Sequence, residues 1–271
     1  MKWAGGKSQL LDRLFELMPD KCNRFIEPFL GSGVVSLNIC EKYPNIKEVI
    51  IGDTNPGLIA LWNELQNDGL KFISFAKKYF AESFNREDMY YELRGKFNTT
   101  WHNDVKAVTF LYLNRHCFNG LCRFNSKGGF NVPYGKYKSV YFPEKEMIHA
   151  IEVLKKTRVY HQGFMDTFEM VKKGDVVYLD PPYVPENDTT ATFTAYSKDK
   201  FGIAEHIELV KQAIIAQKKG ATVIISNNDV PVCKELYGGA DEIHYVDVRK
   251  SISCKANGRK KLKEIIAVYR P

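Results

Sequence analysis

Seven short runs of the chain are built mainly from β-branched, aromatic and other apolar residues and end in polar, Gly or Pro positions. They are RFIEPF (24–29), EVIIGD (48–53), RVYHQG (158–163), DVVYLD (175–180), ATVIISN (221–227), EIHYVDV (242–248) and EIIAVY (264–269). Such runs predict strands. Helix-like segments lie between several of them, such as Gly33–Lys42 and Ile203–Lys219. Strands alternating with helices predict an α/β fold around a mostly parallel sheet. The last two runs are separated only by a basic loop, which suits antiparallel pairing. The second and third runs are more than 100 residues apart, far beyond an ordinary crossover. Residues 56–144 are therefore expected to form an inserted lobe, leaving 1–55 and 145–271 as one discontinuous domain. The first part of the lobe reads helical (Leu58–Asn67, Leu70–Tyr79, Arg86–Phe97, Lys106–Asn114). Its second part, Asn119–Tyr141, is rich in Gly, Asn and aromatics and reads as a hairpin or an ordered loop.

Composition narrows the class. The chain has 271 residues, 44% hydrophobic and 26% charged, which excludes a disordered or fibrous protein. No apolar run approaches the roughly 20 residues of a membrane span, and the first residues lack an apolar signal core. The cysteines number 6, with no CxxC pair. They read as reduced thiols of a cytoplasmic protein, with no zinc site expected.

Charge adds a partner. The net charge of +7 is weak evidence by itself, but its distribution is stronger. From Val105 to Pro143 there is no Asp or Glu, while Lys106, Arg115, Arg123, Lys127, Lys136 and Lys138 alternate with aromatics such as Phe118, Phe124, Tyr134 and Tyr137. A second acid-free stretch runs from Arg249 to Lys263. Two solvated faces would be the bland explanation. Cations interleaved with rings suit phosphates and stacked or extruded bases better, so nucleic acid is the expected partner.

Two strand ends carry the candidate chemistry. Glu27-Pro28-Phe29-Leu30-Gly31-Ser32-Gly33 follows an apolar run and opens a helix. Glycines there allow a tight turn and close approach of backbone to a ligand. Asp53 ends the next strand, where an acid typically meets ribose hydroxyls; a helix cap or turn residue is its alternative. The full GxGxxG is missing, so a nucleoside without phosphates fits better than a dinucleotide. Trp3-Ala4-Gly5-Gly6-Lys7 could hold an anion or be an ordinary terminal turn. At the other strand end, Asp180-Pro181-Pro182-Tyr183 caps DVVYL. Prolines remove backbone donors and fix an extended turn. What remains is a carboxylate, carbonyl acceptors and a ring, which matches an exocyclic amino group on a planar base.

FLGSG, DPPY and WAGGK together resemble the Dam-type DNA adenine-N6 methyltransferases, of the α group by motif order. The resemblance extends through Asn114-Arg115, Asn119–Arg123, Phe130–Gly135 and Arg249–Ser253 and covers nearly the whole chain. It implies S-adenosylmethionine as cofactor, double-stranded DNA as partner and a seven-stranded Rossmann-like methyltransferase sheet. The inserted lobe would then be a target-recognition domain. It further implies that Trp3 and Lys7 hold the cofactor's methionine end with Glu27, Phe29, Gly31 and Gly33, and that Asp53 binds its ribose. Asp166 would meet its adenine, or cap a helix. Asp180 would lie between cofactor and target base, with Pro181, Pro182 and Tyr183 completing the catalytic turn. Arg123 is the candidate for guanine readout, with a phosphate contact as the alternative. Leu121 and Pro133 would touch thymine methyls, or be buried in the lobe. Phe118 would wedge beside the flipped base, or join the core. Lys127, Lys136 and Lys138 would hold phosphates; Lys2, Arg115 and Asn119 complete the DNA-facing set. The site implied is GATC, read by an enzyme acting as a monomer and without a metal. Lys136 departs from the family, where arginine is frequent, and supplies a point charge in place of a fork. Three rivals remain at this level: methylation of another planar amide or amine in RNA or protein, a silent DNA-binding module, and a nicotinamide-dependent oxidoreductase.

Overall fold

The computed structural model describes residues 1–3, 6–184, 201–249 and 261–271. The basic segment around Lys250–Ser253 lies outside the described residues, as do Ala4 and Gly5 of the N-terminal glycine run. One sheet of seven strands organises the chain. In chain order they are β1 (Arg24–Glu27), β2 (Glu48–Asp53), β3 (Thr157–His161), β4 (Val176–Leu179), β5 (Thr222–Asn228), β6 (Glu242–Arg249) and β7 (Lys261–Tyr269). Their spatial order is β3-β2-β1-β4-β5-β7-β6. β1 to β5 are parallel, whereas β7 runs antiparallel between β5 and β6. All seven runs expected from the sequence are strands, and the final two do pair antiparallel.

Both faces of the sheet are covered, which is why its strands read as continuous apolar runs. Alternation still decides which side chain goes where. Phe25, Val49, Ile51, Val176, Tyr178 and Ile224 belong to one core layer. Ile26, Ile50, Val177, Leu179, Val223 and Ile225 belong to the other. Helices α1 (Leu11–Leu17), α2 (Val34–Lys42), α3 (Pro56–Lys77), α4 (Glu87–Thr99), α5 (Asn103–His116) and α6 (Glu144–Leu154) feed residues into the first layer. Helices α7 (Phe164–Glu169), α8 (Ile203–Lys218) and α9 (Pro231–Leu236) feed the second. The segment between β2 and β3 thus shares its apolar core with one face of the sheet.

Leu58–Asn67 and Leu70–Tyr79 were expected as separate helices; α3 spans Pro56–Lys77 as two helical stretches joined across a kink at Asp68 (φ −144°, ψ 64°), where the break was expected. The glycine beside the kink serves packing. A Cβ at Gly69 would stand 2.4 Å from the Ile151 Cδ1 of α6, so only glycine lets the two helices pack this closely. The start of α3 is set by Asn55, whose side chain accepts from the backbone N–H groups of Gly57 (3.0 Å) and Leu58 (3.1 Å), with Pro56 at the first helical position. Asn119–Tyr141 is an ordered loop with two isolated bridges, Cys117 with Tyr134 and Phe124 with Phe130.

One buried ion pair ties the start of β1 to the start of β4. Arg24 Nε donates to Asp175 Oδ1 at 3.0 Å and Nη2 to Asp175 Oδ2 at 2.6 Å. Asp175 is 2% exposed. Removing one partner of such a pair leaves a charge in a dry environment. Arg24→Ala is expected to lower the unfolding free energy by about 3–5 kcal/mol, read from urea unfolding curves, whereas Arg13→Ala at the exposed pair with Glu16 should shift it by less than about 1 kcal/mol.

Candidate active site

The sheet order reverses direction at β1. From there the chain passes to β2 on one side, while β4 lies on the other. In open parallel sheets the crevice at this switch point, outside the carboxyl ends of the strands, is where ligands bind. Both motif-bearing turns leave the sheet there: the turn after β1 carries the two glycines, and the turn after β4 begins with Asp180.

The first turn needs its glycines. Gly31 (φ 48°) and Gly33 (φ 70°) are both left-handed, a region that side-chain-bearing residues rarely adopt. A Cβ on Gly31 would also stand 2.8 Å from Trp3 Nε1. The indole of Trp3 therefore packs directly on the turn. Gly33 caps α2, and Glu27 supports the start of that helix from below. The Glu27 carboxylate accepts from the backbone N–H of Ser36 (3.0 Å) and from the Ser36 hydroxyl. A carboxylate at a helix N-terminus is favourable. Glu27 is nevertheless only 3% exposed. Burial pushes its pKa up to about 8, Ser36 opposing this and nearby Asp180 adding to it.

Asp53 closes the turn from the adjacent strand. Its Oδ2 accepts from Gly31 N–H (3.1 Å) and its Oδ1 from Asn55 N–H (2.9 Å). Burial raises its pKa, and those backbone donors pull against the rise. The α3 cap is Asn55, so Asp53 instead braces two loops against each other. Phe29 stacks on Phe164 at 5.6 Å between ring centroids and meets Phe201 edge-on. Asp166 lies in the first turn of α7 and is exposed.

The second turn is held from three sides. Asp180 Oδ1 lies 2.8 Å from Lys7 Nζ, and that lysine side chain is 5% exposed. The Lys7 ammonium also sits 4.7 Å from the centre of the Tyr183 ring. Burial raises the Asp180 pKa, while Lys7 and the Tyr183 hydroxyl lower it. Lys7 thus reaches the chemistry end of the crevice, although the sequence placed it with the glycine turn. The Tyr183 hydroxyl donates to Glu264 Oε2 at 2.8 Å. Beyond it, Val184 N–H donates to Asn227 Oδ1 (3.0 Å), and Asn228 Nδ2 donates to the Val184 carbonyl (2.7 Å). Burial lowers the His206 pKa to about 4, with the backbone of Pro182 opposing the fall. Pro181 is buried and Pro182 exposed.

Glu264, Asn227, Asn228 and His206 were not among the residues read from the sequence. A signal existed for three of them. Polar residues at the ends of the apolar runs ATVIISNN and EIIAVY stand where the strands leave the core.

A cleft of about 470 Å³ opens beside the glycine turn, lined by Lys2, Trp3, Ser8, Ser32, Asn119 and Tyr137 among others. It joins the sheet domain to the inserted segment. Lys2 N–H donates to Asn114 Oδ1 (3.0 Å), Asn114 Nδ2 donates to the Lys2 carbonyl (2.6 Å), and the Lys2 ammonium lies over the Tyr137 ring at 4.3 Å. Around this cleft the basic loop is exposed. Arg123, Lys127, Pro133, Lys136 and Lys138 face solvent, and Phe118 is 44% exposed. Leu121 is half-buried, and Asn119 is left-handed (φ 53°). Arg123 Nε donates to Asn131 Oδ1 at 2.8 Å, which fixes one edge of the guanidinium. Arg115 is half-buried, with Nε donating to the Tyr141 carbonyl (3.1 Å) and its guanidinium over the Tyr141 ring.

Comparison with known proteins assigns this arrangement. Residues 3–252 match the family model described as D12 class N6 adenine-specific DNA methyltransferase. The chain belongs to that family. It is 39% identical over 271 residues to a DNA adenine methylase of Salmonella typhi, covering 100% of this chain and 95% of that protein. It is 41% identical to a DNA adenine methylase of Haemophilus influenzae, covering 99% and 92%, and 38% identical to one of Escherichia coli K12, covering 100% and 95%. As a member of the D12 class, the protein is a site-specific DNA adenine-N6 methyltransferase. Among the described residues no helix is long and apolar enough to cross a membrane.

The Glu27 pKa gives a directional test. In the folded protein Glu27 keeps its proton up to about pH 8, whereas an unfolded glutamate loses it near 4.5. Folding then takes up a proton between those values, so this residue's contribution to stability falls as pH rises from about 4.5 to about 8. Glu27→Gln removes that fall. The stability of the variant relative to the parent should therefore rise steadily across this range and level off above it, as followed by denaturant midpoints at several pH values.

Proposed function

We propose that this D12-class enzyme flips an adenine out of duplex GATC and positions its amino group at the Asp180–Tyr183 turn, with S-adenosylmethionine as methyl donor held by the turn after β1. The observation that carries the reading is the juxtaposition of the two turns at the switch point, one offering acceptors and a ring, the other left-handed glycines.

The residues of the first turn suit a nucleoside with an amino-acid tail. Left-handed Gly31 and Gly33 shape a tight turn on which the Trp3 indole packs. Asp53 stands at the tip of β2, where ribose hydroxyls meet an acid in such sheets. Phe29 offers an apolar face beside Asp166 for a purine, and Trp3 borders the cleft that would take the tail. When bound, the cofactor supplies a methyl group already attached to a positively charged sulfur, so the protein's task is positioning and electrostatics.

The purine amino nitrogen is a poor nucleophile because its lone pair is delocalised into the ring. Asp180 and the Pro181 carbonyl would accept its two protons and favour a pyramidal nitrogen whose lone pair faces the methyl. An adenine inside a duplex cannot reach this turn, so flipping is required, at a few kcal/mol. Stacking on Tyr183, worth about 1–3 kcal/mol, offsets much of that.

The target sequence would be read by residues 56–144. Arg123, with one edge of its fork braced by Asn131, keeps its terminal nitrogens outward for guanine O6 and N7. Leu121 and Pro133 would meet thymine methyls, Phe118 would wedge into the gap left by the flipped base, and Asn119 would join the DNA-facing set. Lys2, Arg115, Lys127, Lys136 and Lys138 supply phosphate contacts. The catalytic part would comprise 1–55 and 145–271, acting as a cytoplasmic monomer.

With labelled S-adenosylmethionine, Asp180→Ala should abolish transfer to a GATC duplex while changing DNA affinity only a few-fold; a fully active variant refutes the acceptor role. Arg123→Ala should erase about 1–3 kcal/mol of discrimination at one guanine. A uniform loss over all duplexes would instead make Arg123 a phosphate clamp. Lys136→Ala should make the slope of log affinity against log salt shallower by about one unit.

A further inference from the structure

Glu264 is the one acidic residue of the described strand β7 and is 8% exposed. It faces the catalytic turn from β7, two strands away from β4 across β5. Its Oε2 accepts the Tyr183 hydroxyl at 2.8 Å. That hydroxyl also acts on Asp180, three residues earlier in the same turn, and lowers its pKa. A phenol carries a single proton, so it serves one carboxylate at a time. Asp180 already receives the Lys7 ammonium on Oδ1. A phenol proton directed at Asp180 would occupy acceptor capacity that the substrate amino group needs.

We infer that Glu264 is a positioning residue: it draws the Tyr183 proton away from Asp180, which leaves that carboxylate free to accept from the target amine and fixes the plane of the Tyr183 ring. The inference rests on the proposed role of the Asp180–Tyr183 turn. It makes a buried acid on a distant strand part of the reaction without contact to DNA or cofactor.

Steady-state methyl transfer to a GATC duplex tests it. Glu264→Ala and the volume-preserving Glu264→Met both remove the acceptor; the comparison uses whichever folds, as judged by thermal melting. kcat should fall roughly tenfold, about what one hydrogen bond to a charged group is worth. KM for DNA should stay within about twofold, the pattern of an interaction that matters only beyond binding. Glu264→Gln retains a carbonyl oxygen that accepts from the phenol, and its kcat should stay within about threefold of the parent.

The decisive arm adds Tyr183→Phe to the Glu264→Met background. Without a hydroxyl to misdirect, kcat should rise above that of Glu264→Met by roughly threefold or more, a non-additive rescue that lost packing would not give. A double variant at or below the single one overturns the inference. So does an unchanged kcat in Glu264→Met, or a loss that appears in KM instead. If Asp180→Ala is inactive while Glu264→Met matches the parent, only this inference fails. If Asp180→Ala is active, the reading of the turn beneath it fails as well.

Discussion

A carboxylate at the tip of a buried strand has to be compensated, and the site is arranged around that requirement. Asp180 emerges from the most enclosed strand of the sheet, with β1 on one side and β5 on the other. An isolated charge there would take up a proton. Lys7, itself buried, supplies the counter-charge, and the Tyr183 hydroxyl also lowers the pKa. Tyr183 is in turn oriented by Glu264, and the chain beyond it by Asn227 and Asn228. Glu27, on the neighbouring strand, is pushed the same way by burial, towards its neutral form, and the charge of Asp180 adds to that rise. The two acids are set apart by their surroundings: one meets an ammonium, the other a helix N-terminus and a hydroxyl.

The doubly wound sheet brings these groups together without distorting any strand. β1 and β4 are parallel neighbours, so their carboxyl ends necessarily lie side by side. A glycine-rich turn on one and a proline-rich turn on the other then face the same crevice. The backbone differs at the two ends for a chemical reason. The glycine turn adopts left-handed backbone with the Gly31 N–H held by Asp53, whereas Pro181 and Pro182 lack N–H groups and offer only acceptors. One end suits a ligand with carboxylate and hydroxyl groups, and the other suits an amine.

The basic loop is attached to this crevice through the N-terminus. The paired hydrogen bonds between Lys2 and Asn114 stitch the first residues of the chain to the end of α5. Trp3 then packs on Gly31, and Lys7 reaches Asp180. Within seven residues the chain touches the end of α5, the glycine turn and the acidic turn. Arg123 belongs to this ordered part, because Asn131 restrains its fork before any base is met.

The apolar runs were sufficient to locate all seven strands, the antiparallel end of the sheet and the long interruption between β2 and β3, because burial on both faces leaves an unbroken hydrophobic signature. The DPPY and glycine turns were also legible, since proline and glycine constrain the backbone wherever they occur. The break between the two stretches of α3 was legible too, but the packing of Ile151 against Gly69 beside it was not. Nor were the partners of the catalytic turn. Lys7 pairing with Asp180, Glu264 accepting from Tyr183 and Asn227 accepting from Val184 join positions far apart in the chain. Local spacing carries no trace of such contacts. They exist only because strand order and twist bring distant ends to one place, where water is excluded and every polar group must find a partner.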